Sequence, residues 1–270
     1  MPILSPKLEI PLDSRSLPSP IMFRSAHVPA DSLYPRHRHA WGEFVYSFSG
    51  VMEIKLATQH FLAPPQYGIW LPPDVEHSGM NRRAAHHCSL YVAQAHCETL
   101  PKDACALTVS PLVRALLDHL HQQDPALTAT PQDAKLMQVL VDQLGHAARA
   151  NSYLPHSQDP MLAPVLDALR TDPADKRSLA EFARAVHTTD RTLARCCQRE
   201  LGMSLADWRQ RLRVIRALPR LEAGDKVESI GLDLGYGSAS AFIAMFRRLM
   251  DATPDEYRRS VEGRSTAPRT

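Results

Sequence analysis

Asp233-Leu234-Gly235-Tyr236-Gly237-Ser238, followed by Ala241-Phe242-Ile243-Ala244-Met245-Phe246-Arg247-Arg248, is the stretch whose reading decides the fold. Gly235-Tyr236-Gly237 marks a turn, Ser238 is an N-cap residue, and Phe242, Met245, Phe246 and Leu249 recur at helical spacing. Before the turn, Val227, Ile230 and Leu234 form the apolar stripe of a preceding helix. Two short helices joined by a tight turn make a helix-turn-helix unit, over about 227–250. The same arrangement occurs upstream, over about 178–201. There Ser178-Leu179-Ala180-Glu181 is a capping box, and Leu179, Phe182, Ala183 and Val186 form a stripe. His187-Thr188 makes the turn, Thr189 caps the second helix, Leu193, Cys196, Cys197 and Leu201 face inward, and Gly202 ends it. A longer helix from about Leu205 to Leu221, carrying Arg209, Arg211, Arg213, Arg216 and Arg220, separates the units. At 1.5 Å per residue it spans roughly 25 Å. With the units' own dimensions, one chain can reach two successive major grooves ~34 Å apart.

Working toward the N-terminus, residues 151–164 hold three prolines among polar residues and read as a linker. Between Ser110 and Ala150, Leu112, Leu116, Leu117 and Leu120, then Leu136, Val139, Leu140 and Leu144, predict a helical hairpin. From Asp31 to Val92 the pattern is β: Phe44, Tyr46 and Phe48 alternate, Ser49-Gly50 turns, and Met52, Ile54 and Leu56 alternate again.

The chain has 270 residues, 44% of them hydrophobic and 22% charged, which suits globular domains. Residues 1–160 hold 12 basic against 14 acidic side chains and residues 161–270 hold 19 against 15, so the basic surplus lies with the helix-turn-helix units. The opening residues show no basic leader with an apolar stretch, and no apolar run approaches about 18 residues; a cytoplasmic protein with no membrane partner is expected. Cys88, Cys97, Cys105, Cys196 and Cys197 are odd in number with no Cys-x-x-Cys pair, and read as reduced thiols.

Residues 178–259 resemble the DNA-binding domain of the AraC/XylS family. Arg191-Thr192-Leu193-Ala194-Arg195, Glu200-Leu201-Gly202-Met203-Ser204, the stretch quoted at the outset, and Thr253-Pro254-Asp255-Glu256-Tyr257-Arg258 carry the likeness. It implies a sequence-specific transcriptional regulator on double-stranded promoter or operator DNA, acting as a homodimer, with RNA polymerase a further potential partner. The candidate DNA contacts are Arg191, Ala194, Arg195, Gln198 and Arg199 in the first unit, and Ser240, Ile243, Ala244, Arg247 and Arg248 in the second. Arg191 and Arg195, one turn apart, suit base reading. Ser240, Ile243 and Ala244 offer mainly van der Waals contact, and Arg247 and Arg248 suit phosphate. Two positions depart from the family pattern. His187 stands where Gly is common in the first turn, and Pro219 predicts a kink or early end of the long helix.

His37, His39 and Glu43 share odd parity, so one extended strand would place them on one face, and His77 follows later. His-x-His-x-x-x-Glu, Gly50 and Pro72-x-Asp74-x-x-His77 resemble the cupin pattern, with Asp74 where Gly is frequent. The resemblance implies that His37, His39, Glu43 and His77 ligate a divalent transition metal, or line a metal-free effector pocket. No cofactor is required by this reading. His86-His87-Cys88 and His96-Cys97 form a weaker metal candidate, since adjacent strand residues face opposite sides.

The expected fold is two-domain α+β. A cupin-like sensory barrel (1–105) leads to a helical hairpin for dimerisation with its linker (106–158), then to an all-α domain with two helix-turn-helix units (159–270). The expected function is transcriptional regulation, controlled by an unknown small molecule or metal in the barrel. The alternatives are a cupin metalloenzyme fused to a DNA-binding domain, and a barrel that only dimerises.

Overall fold

A computed structural model describes residues 17–57, 59–81, 85–122, 130–150 and 152–265. The chain divides into two compact units between Tyr153 and Leu154. In the first, strands β1 (Ile21–Val28), β2 (Ser32–His37), β3 (Gly42–Ser47), β4 (Met52–Lys55), β5 (His60–Ala63), β6 (Tyr67–Leu71), β7 (His77–Asn81), β8 (Ala85–Val92), β9 (Cys105–Thr108) and β10 (Arg149–Ala150) precede or flank helices α1 (Pro111–Gln122) and α2 (Pro131–Gly145). They make two antiparallel sheets, ordered β1-β8-β3-β6-β9-β10 and β2-β7-β4-β5.

The alternation in β3 sets the layers. Phe44 and Tyr46 register with Leu90 and Cys88, and Phe44 also with Trp70, all on one face of the larger sheet. That face packs on Val113, Leu117 and Leu120 of α1 and Met137, Leu140, Val141 and Leu144 of α2. The opposite face offers Val45, Ile69 and Leu71 to Met52, Ile54, Phe61 and Ala63 of the smaller sheet.

Three expectations are corrected here. The β region begins at Ile21 rather than Asp31, because β1 is an edge strand whose half-buried residues blur the period-two signal. The hairpin helices turn slightly from the expected stripe: Val113, Met137 and Val141 are buried, while Leu112 and Val139 are 50% and 42% exposed. Of the expected linker, Ser152 to Pro155 and Ser157 are buried. Ser152 Oγ accepts from Leu62 N (2.9 Å) and Tyr153 N donates to Leu62 O (3.1 Å), anchoring the chain to the first unit. Pro155 O accepts from the buried Trp208 Nε1 (2.8 Å) within the second. Pro155, read as part of a tether, is therefore a packed anchor point, while Pro160 and Pro164 are exposed.

The second unit comprises α3 (Ala163–Thr171), α4 (Leu179–Ala185), α5 (Asp190–Leu201), α6 (Leu205–Glu222), α7 (Val227–Asp233), α8 (Ala239–Met250) and α9 (Pro254–Ser265). The Ser178 capping box forms: Ser178 N donates to Glu181 Oε2 (2.7 Å) and Glu181 N to Ser178 Oγ (3.2 Å). Thr189, Ser204 and Ser238 cap α5, α6 and α8. His187 does adopt left-handed φ, at 55°. Pro219 does not stop α6, which runs on to Glu222, since it falls in the last turn. No described helix is long and apolar enough to cross a membrane, and the cysteines are free thiols.

The arginines of α6 hold this unit together. Arg209 donates to Arg177 O (2.8 Å) and Asp175 O, Arg213 to Pro173 O (2.9 Å), and Arg216 to Arg170 O (2.8 Å). Arg220 pairs with Asp225 (2.7 Å) and Asp233 (2.8 Å). A guanidinium fork thus satisfies carbonyls at the end of α3 and along the loop after it. The turn before α8 is equally constrained, because Gly235 has φ +85° and a Cβ there would lie 2.8 Å from Ala174 O. Gly235→Ala is expected to lower the unfolding free energy by about 1–3 kcal/mol in urea titrations. Gly237→Ala, with nothing within 4 Å of the added methyl, should stay within about 0.5 kcal/mol; equal effects would refute the account of the turn.

Candidate functional site

Between the two sheets lies a cavity of about 80 Å³, lined among others by Arg24, Tyr34, His37, His39, Trp41, Glu43, Val45, His77, His87 and Tyr91. The structure brings the four residues of the expected quartet together, but not by way of one strand. His37 ends β2 in the smaller sheet, where it registers with His77 at the start of β7. Glu43 lies on β3 in the larger sheet, and His39 sits in the connection between them. Asp74 N donates to His39 O (2.8 Å), fixing that connection to the turn before His77. Asp74 adopts φ 62°, which accounts for the frequent Gly at its place in the cupin pattern; Asp is among the few residues with a Cβ that tolerate it.

The donor geometry of the histidines is specific. His37 Nδ1 lies 2.8 Å from Pro35 O, His39 Nδ1 2.7 Å from Trp41 O, and His77 Nδ1 2.9 Å from Val75 O. A carbonyl only accepts, so each Nδ1 carries the proton and each Nε2 is left to face the others. The ligand atoms of the three rings lie within 4.8 Å of one another. Glu43 Oε2 is 3.0 Å from His39 Nε2 and 3.5 Å from His77 Nε2. Lone pairs on those nitrogens would repel the carboxylate, so the site calls for second protons on the rings or for a cation among them. The backbone carbonyls behind the rings fix tautomer and orientation, as second partners of metal-ligating histidines do.

Electrostatics follow the geometry. Burial opposes the charge on Glu43, but the hydrogen bonds from His39 and His77 outweigh it and hold the carboxyl well below its ordinary pKa. Burial also opposes charging of His77, yet Glu43 raises its pKa on balance. His37 is lowered, by burial and then by His77. Trp41 stacks on His39, with centroids 4.8 Å apart and planes 3° from parallel, and buries its Nε1 with no acceptor among the described residues. His87 is pushed down to about 4 by burial and remains a neutral imidazole. Arg24, Tyr34, Trp41 and Tyr91 were missed by sequence reasoning, and His87 entered it only within a weaker metal candidate. Only strand register places them: β3 and β8 pair Glu43 with Tyr91 and Ser47 with His87, putting these side chains on the cavity face. His86, Cys88 and Cys97 do not join a described three-ligand cluster, and His96 lies in a one-turn helix.

On the second unit, Arg191, Ala194, Arg195, Gln198 and Arg199 of α5 are exposed, opposite the buried Leu193, Cys196 and Cys197. On α8, Ser240, Ala244, Arg247 and Arg248 are exposed and Ile243 is half-buried. Among the described residues the guanidinium groups of Arg191, Arg195 and Arg247 make no ion pair or hydrogen bond, whereas Arg199 binds Glu200 (2.8 Å) and Asp159 (3.0 Å), and Arg248 binds Gln210.

Comparison with known proteins accords with this division of labour. Residues 20–156 match the AraC-like ligand binding domain and residues 182–260 match a helix-turn-helix domain. The HTH-type transcriptional regulator NimR of Escherichia coli is 33% identical over 86% of this chain and 85% of its own length. A putative AraC-like transcription regulator of Streptomyces lividans is 32% identical over 46% of this chain and 41% of its own. The crystal structure of ToxT from Vibrio cholerae covers 90% of this chain and 99% of its own at TM-score 0.39 and 13% identity, too distant to carry a functional argument. The chain belongs to the AraC family of DNA-binding transcriptional regulators, with an N-terminal ligand-binding domain and a C-terminal pair of helix-turn-helix units.

Proposed function

We propose that the cavity between the sheets is the sensor of this regulator, and that its occupancy by a divalent transition metal or a small effector sets the activity of the chain as a cytoplasmic homodimer. The observation that carries this is the convergence of three imidazoles, each anchored through its Nδ1, with the Glu43 carboxylate against two of them. A tetrahedral Zn²⁺ holds nitrogen ligands about 3.3 Å apart, so small ring rotations would close the shell. The fit of the donor set supports His37, His39, Glu43 and His77 as its ligands, and a bound cation would act as a Lewis acid toward an oxygen-bearing effector. Leu112 and Val139 offer apolar surface on the hairpin for the second copy. The relatives' names favour a regulator over the alternative of a cupin enzyme, and RNA polymerase remains a proposed partner.

Two measurements test the sensor. After incubation with Zn, Mn, Fe or Ni salts and dialysis near neutral pH, elemental analysis should find about one equivalent of metal in the wild type and several-fold less in His77→Ala. Metal absent under every salt would leave the effector pocket as the surviving form, and turnover by loaded protein would favour the enzyme.

For DNA, we assign base reading to Arg191 and Arg195 and phosphate contact to Arg247 and Arg248, with Ala194, Gln198, Ser240, Ile243 and Ala244 completing the faces. Arg199 joins them only by leaving Asp159 and Glu200. A fragment of residues 154–270, which retains Pro155 and Ser157 as anchors, should fold and select operator over scrambled duplex. In it, Arg195→Ala should cost about 1–3 kcal/mol on the operator and little on scrambled DNA. Arg247→Ala should weaken both alike; equal losses for Arg195→Ala would show that it grips backbone.

A further inference from the structure

We infer that the molecule sensed by the cavity is a small organic acid whose carboxylate is held by the Arg24 guanidinium; this rests on reading the cavity as the sensor site. Arg24 lies on β1 opposite Ser89 and lines the cavity. Among the described residues its guanidinium makes no ion pair and no hydrogen bond, unlike every arginine of α6 discussed above. Tyr34 and Tyr91 line the same space. Burial raises the pKa of both phenols while Arg24 opposes the rise, so both hydroxyls stay protonated within reach of its field. A guanidinium fork beside phenol donors matches the planar, two-oxygen acceptor of a carboxylate.

A second observation points the same way. Trp41 is 3% exposed, lines the cavity, and has no acceptor for Nε1 among the described residues. A buried donor without a partner is costly, and an indole nitrogen can only donate. Trp41 Nε1 is thus a buried donor in need of an acceptor, and the exposed Arg24 adds a cation to the same lining, so together they select a ligand rich in acceptors. Two carboxylates share the wall, but each has an imidazole against it: His39 and His77 face Glu43, and His60 Nε2 lies 3.4 Å from Glu53. Size points the same way, since a cavity of about 80 Å³ suits a small acid. Val45, Met52 and Ile54 supply the wall for a short or monocyclic apolar body.

The test uses the full chain, calorimetric titration, and three probe acids, benzoate, lactate and succinate, each beside its primary amide. At least one acid should bind and its amide should not. Arg24→Gln, at an exposed position, should weaken that acid about ten- to hundredfold, and Trp41→Phe about three- to tenfold. Ala26→Phe, which fills the cavity from the edge strand, should abolish binding, with circular dichroism confirming the fold of each variant. The inference is overturned if no acid binds up to about 10 mM, if amides bind as well as acids, or if Arg24→Gln binds like the wild type. Amides that bind and are blocked by Ala26→Phe leave the cavity as sensor and remove only the carboxylate. Acids that bind Ala26→Phe unchanged remove the cavity reading itself.

Discussion

Strand β3 is buried at every residue from Gly42 to Ser47, and the rest of the first unit is arranged around that constraint. An antiparallel strand usually keeps one wet face. Here Phe44 and Tyr46 enter the helical core, while Glu43 and Val45 look into the cavity. Glu43 is tolerated there because two histidines meet its carboxylate. A ligand that shifts Glu43 by a fraction of an ångström acts on a strand whose other side touches α1 and α2. Arg114 of α1 donates to the Tyr46 hydroxyl at 3.1 Å, so the route from cavity to hairpin is one strand thick. Close-packed interiors pass on such displacements because they have little free volume to absorb them.

The helix-turn-helix units were legible in the sequence because their signals are local. Ser178, Thr189 and Ser238 cap within three residues of the amides they satisfy, and Gly202 takes the left-handed C-cap that follows α5. What helical spacing could not show is the use made of an arginine once it is on a surface. Arg195 and Arg209 look alike in the sequence, yet among the described residues one is without a partner and the other closes carbonyls of the loop following α3. That distinction depends on contacts more than 30 residues apart, which no local pattern encodes.

The histidine site was legible in its residues and not in its construction. Spacing alone suggested a single strand face, whereas His37 and Glu43 belong to different sheets and a backbone hydrogen bond from Asp74 holds His39 between them. Motif spacing survived because it reflects a loop of fixed length, not strand parity. Arg24 had no motif at all, and His87 only the weaker His86-His87-Cys88 candidate. Their place on the cavity wall follows from the register of β1, β8 and β3, a property of pairing that a single sequence does not display.

The arginines of α6 also change how the charge of the DNA-binding unit should be understood. Its surplus of basic side chains suggests a strongly cationic face, but four guanidinium groups of the connecting helix are directed at carbonyls and carboxylates of their own domain. Groups so engaged displace few condensed cations from a phosphate backbone. Operator binding by this chain should therefore depend on ionic strength less steeply than its arginine count implies, and a larger part of its affinity should survive in concentrated electrolyte as shape and base contact.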